Sequence, residues 1–272
     1  MSFDLAALAQ QVVIGFVPQA ILYFSVVGLL FVFIWKVFAE ALAGRRIQAK
    51  TRVNGAQLKR EAALSLLTLA IGSLNAGVVF ALHGAGYSKL SEDASQFTPL
   101  GIVASLIGII VYNDTWFYWW HRIFHHPRLF RMVHSTHHKS VDVNPFSTYA
   151  FHAIEGFVLG VGTLPLFFIV QLYLPTVMVL QMVGLAKNLE AHLGYELLPR
   201  WYIRIPPFCW FTTSTYHNQH HEKFNGNYSL FFRFWDRLCG TEFPDYEETF
   251  LRRPSKGNAG AASNDDGATA AV

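Results

Sequence analysis

From Val12 to Trp35 this chain has no charged residue, and a helix over that run would span the roughly 30 Å of a bilayer's hydrocarbon core with some tilt. Residues 62–82 form a second uncharged run, and residues 99–113 begin a third that continues through the aromatic stretch Trp116–Trp120. Aromatics at that position fit a membrane interface. Composition agrees with a membrane setting: 52% of residues are apolar, 15% aromatic and only 14% charged, against roughly a quarter charged in soluble domains. The apolar content is spread along the chain, which predicts one integral membrane unit. The first run is too long for a cleaved leader and lacks a basic start, so it reads as a transmembrane helix despite Pro18.

Charge distribution predicts the topology. Lys36, Arg45, Arg46, Lys50, Arg52, Lys59 and Arg60 lie between the first two runs, whereas the next connection opposes Lys89 with Glu92 and Asp93. The positive-inside rule puts the first connection in the cytoplasm. The third run then returns to that side, where Arg122, Arg128, Arg131 and Lys139 follow. A fourth stretch, 156–186, is uncharged and would measure about 46 Å as one helix, but Pro165 and Pro175 interrupt it. It is expected to form a hairpin with legs 151–173 and 176–192 turning near Pro175. Beyond Pro199 the aromatic clusters fit a cytoplasmic cap of membrane-skimming helices. Residues 254–272, rich in Gly, Ala, Ser and Asp, read as a disordered tail. The expected division is membrane helices and loops over 1–98, a catalytic domain over 99–250, and the tail over 251–272.

Ten of the twelve histidines fall into three boxes and one outlier. The boxes are His121-Arg-Ile-Phe-His125-His126, His134-Ser-Thr-His137-His138 and His217-Asn-Gln-His220-His221, with His192 between the last two. Neutral imidazole suits iron, zinc, copper or nickel, and spacings of three or four bring rings to one helix face. At least eight imidazoles exceed the roughly four that one metal uses, which implies two metals. Sharing one site places all three boxes on the same side of the membrane, which is why the hairpin should cross an even number of times. Boxes free of carboxylates argue against magnesium or calcium. Cys209 and Cys239 are the only cysteines and form no C-x-x-C motif, so iron–sulfur and cysteine–zinc sites are not expected. Asp114, Tyr118, His121 and His125 recur at intervals of four, three and four along one helix face. Asp114 lies about 10 Å deeper than His121, so Asp114 and Tyr118 are expected to support the rings rather than bind metal. His152 and Glu155, one turn apart, could pair in support of the site or be an ordinary helix start.

The boxes, in this order and beside membrane helices, resemble the fatty acid hydroxylase and sterol desaturase superfamily of membrane polyhistidine di-iron oxygenases. The likeness extends to Asp114–Arg122, Asn144-Pro145, His152 with Glu155, Ala191-His192-Leu-Gly-Tyr195-Glu196, Asn227-Tyr228 and Trp235-Asp236-Arg237-Leu-Cys-Gly240-Thr241. It covers roughly residues 100–245. The resemblance implies an all-α fold, an integral membrane helical bundle with a cytoplasmic helical cap holding a histidine-rich dimetal site. It implies two iron ions (Fe2+) on His121, His125, His134, His137, His138, His192, His217, His220 and His221. His126 could take the place of His125, because Pro127 ends the helix there. Asn188, one turn before His192, would reach iron through water. Two departures from the family pattern, Ser229 and Cys239, are expected to lie away from the ligands. The Trp235–Thr241 segment is expected to close the cap through an Asp236–Arg237 pair and a glycine turn.

The implied reaction is hydroxylation or desaturation of an unactivated C–H position of a lipid, sterol-like or fatty acyl or sphingoid, with O2. No G-x-G-x-x-G occurs, so electrons are expected from an external donor such as cytochrome b5 or ferredoxin with its reductase. The expected location is a bacterial inner membrane or the endoplasmic reticulum, and no nucleic acid partner is expected. Two other classes fit the pattern less well. A membrane metal transporter would place ligands near the bilayer midplane at broken helices, and a haem-binding electron carrier would leave most of these histidines idle.

Overall fold

The computed structural model describes residues 5–48 and 53–252. Lys50, Arg52 and the tail from 254 onward lie outside the described residues. The chain is helical, with α1 (Leu5–Val32), α2 (Gly55–Gly84), α3 (Pro99–Phe124), α4 (Pro127–Leu129), α5 (Ser135–His138), α6 (Ala153–Val161), α7 (Leu166–Ile169), α8 (Leu174–Ala191), α9 (Ser214–Lys223), α10 (Phe234–Cys239) and α11 (Tyr246–Leu251). Two short strands, β1 (Leu90–Ser91) and β2 (Leu172–Tyr173), pair in parallel.

Three helices among the described residues are long and apolar enough to cross a membrane: Leu8–Val37, Gly55–Gly84 and Pro99–Phe124. The first runs through α1 and a wider helical turn, Phe33–Val37, in spite of Pro18. The other two start at side-chain caps. Asn54 accepts from the Gln57 amide at 2.9 Å, and Thr98 accepts from the Gly101 amide at 3.0 Å with Pro99 at the first helical position. Tyr23, Val27, Leu69 and Leu189 join α1, α2 and α8 in one apolar cluster, and the Tyr23 hydroxyl meets Ser65 Oγ at 3.1 Å. Ile14, Ile21, Leu29, Leu100, Val103 and Ile107 face outward, as lipid-facing positions do.

The fourth apolar stretch folds back on itself, but its first leg is not one helix. It breaks after Val161, where Gly162 and Pro165 intervene before α7. Pro165 cannot donate a helical hydrogen bond. Gly162 leaves room for Trp116, since a Cβ there would lie 2.4 Å from the indole; Trp116 Nε1 donates to Val158 O at 3.0 Å. The turn comes just before Pro175, which occupies the first turn of α8. β2 then pairs with β1 in the α2–α3 connection, Leu90 opposite Leu172. The hairpin tip therefore reaches the same end of the bundle as that connection.

At the opposite end, the remaining chain forms a cap. Ile203, Tyr216, Tyr246 and Phe250 form its apolar core. Arg233, fully buried, donates to both oxygens of Glu242 at 2.7 Å and to Glu247 at 3.1 Å. Arg46, from the α1–α2 connection, binds Asp142 at 2.5 and 2.7 Å and Gly194 O at 2.7 Å, tying the membrane helices to the cap. Gly194 has φ +75°, and a Cβ there would lie 2.6 Å from Trp35 and 2.7 Å from Val143 O. Only glycine fits that position.

Candidate metal centre

Helix geometry sorts the histidines into two groups. His121, His125, His134, His138 and His220 bring one ring nitrogen each to within 4.8 Å of the others; His137, His192, His217 and His221 do the same. Neighbouring residues on a helix are rotated about 100° from each other, whereas residues i and i+4 share a face. His134 and His138 therefore enter the first group and His137 the second. In the third box the assignment inverts: His217 and His221 serve the second group, His220 the first. His192, the cap residue ending α8, completes the second group.

His126 belongs to neither group and is exposed. It takes an extended conformation between α3 and α4, with φ −59° and ψ 133°, because Pro127 starts a new helix. His125, the last residue before that turn, joins the first group.

Backbone carbonyls and one carboxylate fix the ring tautomers. Nδ1 of His121 faces Tyr228 O at 2.6 Å, that of His192 faces Asn188 O at 2.9 Å, and that of His220 faces Gly226 O at 2.7 Å. A carbonyl only accepts, so each Nδ1 carries the proton and each neutral ring keeps a bare Nε2. His134 Nδ1 donates to Glu155 Oε1 at 2.8 Å in the same way. Burial pushes the pKa of His134, His137, His138, His217, His220 and His221 well below the usual imidazole value, and repulsion between neighbouring rings adds to it. For His125 burial, assisted by His121, lowers it to about 2. The rings are neutral at physiological pH.

The Nε2 atoms then face one another. His121 and His134 Nε2 are 3.1 Å apart, His134 and His138 Nε2 3.1 Å, and His138 and His125 Nε2 3.2 Å. In the second group His192 and His217 Nε2 are 3.1 Å apart, His217 and His221 Nε2 3.1 Å, and His192 and His137 Nε2 3.4 Å. No proton lies between His121 and His134, so that contact opposes two lone pairs. Imidazoles bound to a common ion at about 2.0–2.1 Å and at right angles have nitrogens about 3 Å apart. His220 Nε2, buried without a hydrogen-bond partner, points the same way. The donor set fits a cation in each group.

The supporting contacts differ in part from the sequence expectations. Asp114 does not touch a ring; its carboxylate accepts from the Phe231 amide at 2.8 Å. The Tyr118 hydroxyl meets Thr241 Oγ1 and Arg122 Nη1, each at 3.1 Å. Both residues hold the 227–241 segment against α3. Asn188 acts on His192 through its backbone carbonyl. Glu155 pairs with His134 and not with His152, which instead caps α6 by accepting from the Ile154 amide. Asp236 does not pair with Arg237: it accepts from the Tyr228 and Ser229 amides at 2.9 and 2.8 Å and from Thr241 Oγ1 at 2.7 Å, while Arg237 lies 3.5 Å from Glu242. The glycine turn does form, with Gly240 left-handed at the end of α10. Sequence reasoning missed the Gly226 and Tyr228 carbonyls, which no side-chain pattern encodes.

The model of the family described as "Fatty acid hydroxylase" matches residues 106–241, half of the chain. The chain belongs to the fatty acid hydroxylase family. That match contains all nine clustered histidines and the loop that orients them. Among curated proteins, lathosterol oxidase of Homo sapiens is 31% identical over 188 residues, 68% of this chain and 61% of that protein. Methylsterol monooxygenase 1 of Gallus gallus is 33% identical over 155 residues, 54% of this chain and 49% of that protein, and the Rattus norvegicus enzyme of that name is 34% identical over 144 residues, covering 52% and 47%. The chain thus spans roughly half to three fifths of the length of these relatives. No solved structure matches it.

Proposed function

We propose that this protein is a membrane di-iron oxygenase that hydroxylates or desaturates an unactivated C–H position of a lipid. The observation that carries the proposal is the pair of histidine groups whose Nε2 atoms turn inward and stand 3.1–3.4 Å from one another, an arrangement suited to a cation in each group. One iron ion (Fe2+) is held by His121, His125, His134, His138 and His220, and a second by His137, His192, His217 and His221. Bound there, iron supplies redox chemistry with O2, which zinc could not. Family membership and the sterol-oxidising names of the relatives support a lipid substrate, most simply a sterol or related isoprenoid.

The chain's own residues orient and protect. Gly226, Tyr228 and Asn188 carbonyls and the Glu155 carboxylate hold protons on Nδ1 and aim Nε2 inward. Asp114, Tyr118 and Asp236 are positioning residues that fasten the segment bearing two of those carbonyls. Burial of eight of the nine rings keeps bulk water away. Electrons come from a separate donor such as cytochrome b5 or a ferredoxin with its reductase. Basic residues between the first two uncharged runs share the site's end of the bundle, Arg46 on Asp142 and Arg60 on Ser140. This supports a cytoplasmic site in a bacterial inner membrane or the endoplasmic reticulum.

Lipid extracts of an expressing host, grown under oxygen-18 dioxygen and compared with the same host lacking the gene, test the proposal. A lipid gaining one labelled oxygen, or losing two hydrogens, in the wild type and not in a His137→Ala variant is the expected result. Identical lipid profiles with an iron-loaded protein would refute it.

A further inference from the structure

A cavity of about 600 Å³ lies between α1, α2, α6 and α8, within the roughly 300–1,000 Å³ of small-molecule sites. At one end stand Tyr149 and Phe151, and the Phe151 ring lies 4.8 Å from the His137 ring. The cavity therefore abuts the second histidine group. At its other end stand Leu90 and Phe167, beside the β1–β2 pair. The lining is mostly apolar and suits the body of a lipid.

Two polar atoms in this lining lack partners. Asn75 is 8% exposed, and its Nδ2 has no hydrogen-bond partner among the described residues. Thr68 Oγ1, on the same face of α2 and about 10 Å nearer the histidine end, is also unpaired. Glycines of α6 make room for both. A Cβ at Gly160 would lie 3.0 Å from Asn75 Nδ2, and one at Gly156 would lie 3.4 Å from Thr68 Oγ1. A buried amide N–H in apolar surroundings is unfavourable until an acceptor reaches it. Asn75 and Thr68 both lie in α2 and precede residue 106, where the family match begins.

We infer that this cavity is the lipid site and that Asn75, assisted by Thr68, recognises a hydroxyl oxygen on the lipid. The inference rests on the lipid-oxygenase reading and narrows it to lipid alcohols. Gly72, between the two polar residues, lines the cavity and has no atom within 4 Å of where a Cβ would stand. A large side chain there would fill the cavity without displacing backbone.

The full-length, iron-loaded protein in lipid nanodiscs is offered radiolabelled cholesterol against cholestane, and octadecanol against octadecane. At least one alcohol is expected to bind roughly tenfold more tightly than its hydrocarbon, the effect of one well-formed hydrogen bond in a buried site. Asn75→Leu should bring that ratio near unity, Thr68→Val should lower it, and Gly72→Phe should abolish binding of both members of the pair. Retained iron shows that each variant is folded; should Asn75→Leu lose iron, Thr68→Val and Gly72→Phe carry the test. Equal binding of alcohol and hydrocarbon by the wild type would overturn the inference, as would unchanged binding by iron-loaded Gly72→Phe. Alcohol binding that depends on Asn75, without any oxidised product, would leave it standing and refute the oxygenase reading instead.

Discussion

His134 shows how a single ring is prepared for a metal. One nitrogen donates to Glu155 and the other faces His121 and His138. Partners of this kind typically contribute 10–100-fold to metal affinity. Glu155→Ala is therefore expected to weaken iron binding roughly 10–100-fold in the first group alone, while Glu155→Gln, whose amide oxygen still accepts from Nδ1, recovers most of it. Iron titration followed by equilibrium dialysis checks this; equal affinity in wild type and Glu155→Ala would remove Glu155 from the account. The histidines themselves were readable from spacing. Glu155 was legible only as a residue one turn from His152, a supporting pair or an ordinary helix start, and the fold gave it His134 instead. His126 looked equivalent to His125 because the direction of a side chain at a helix end depends on the turn that follows.

At the level of elements, the inverted use of the two H-x-x-H-H boxes follows from helical rotation, so it was latent in the sequence. The loop 226–231 was not, because its contribution is made by carbonyls. Asp236 accounts for its placement, holding the Tyr228 and Ser229 amides. Asp236→Ala leaves both unpaired and should cost about 2–6 kcal/mol, at about 1–3 kcal/mol for each buried donor, seen as a lower denaturation midpoint. Gly194→Ala should cost about 1–3 kcal/mol from backbone strain alone, with the Trp35 clash added. The buried rings also set a pH dependence. Their folded pKa values lie below that of an unfolded histidine, about 6.5, so the unfolded chain binds more protons below that pH. Stability of the metal-free protein should be flat above about pH 7 and fall as pH drops from about 6.5 toward 5. A thermal midpoint independent of pH over that window would contradict neutral burial of the rings.

For the molecule as a whole, uncharged runs announced the three long helices, and prolines announced the hairpin. The break of its first leg at Gly162 depended on Trp116, a contact between segments far apart in sequence. The depth of the hairpin became visible only through the pairing of β2 with β1. What this architecture achieves is to bring nine histidines from four segments to one end of the bundle as two separate ligand sets. The most direct test is iron stoichiometry of the purified protein by elemental analysis. Two irons per chain are predicted for the wild type, one after His134→Ala with His138→Ala, and one after His217→Ala with His221→Ala. A wild type that saturates at a single iron, or double variants that both still hold two, would contradict a centre built from two histidine groups.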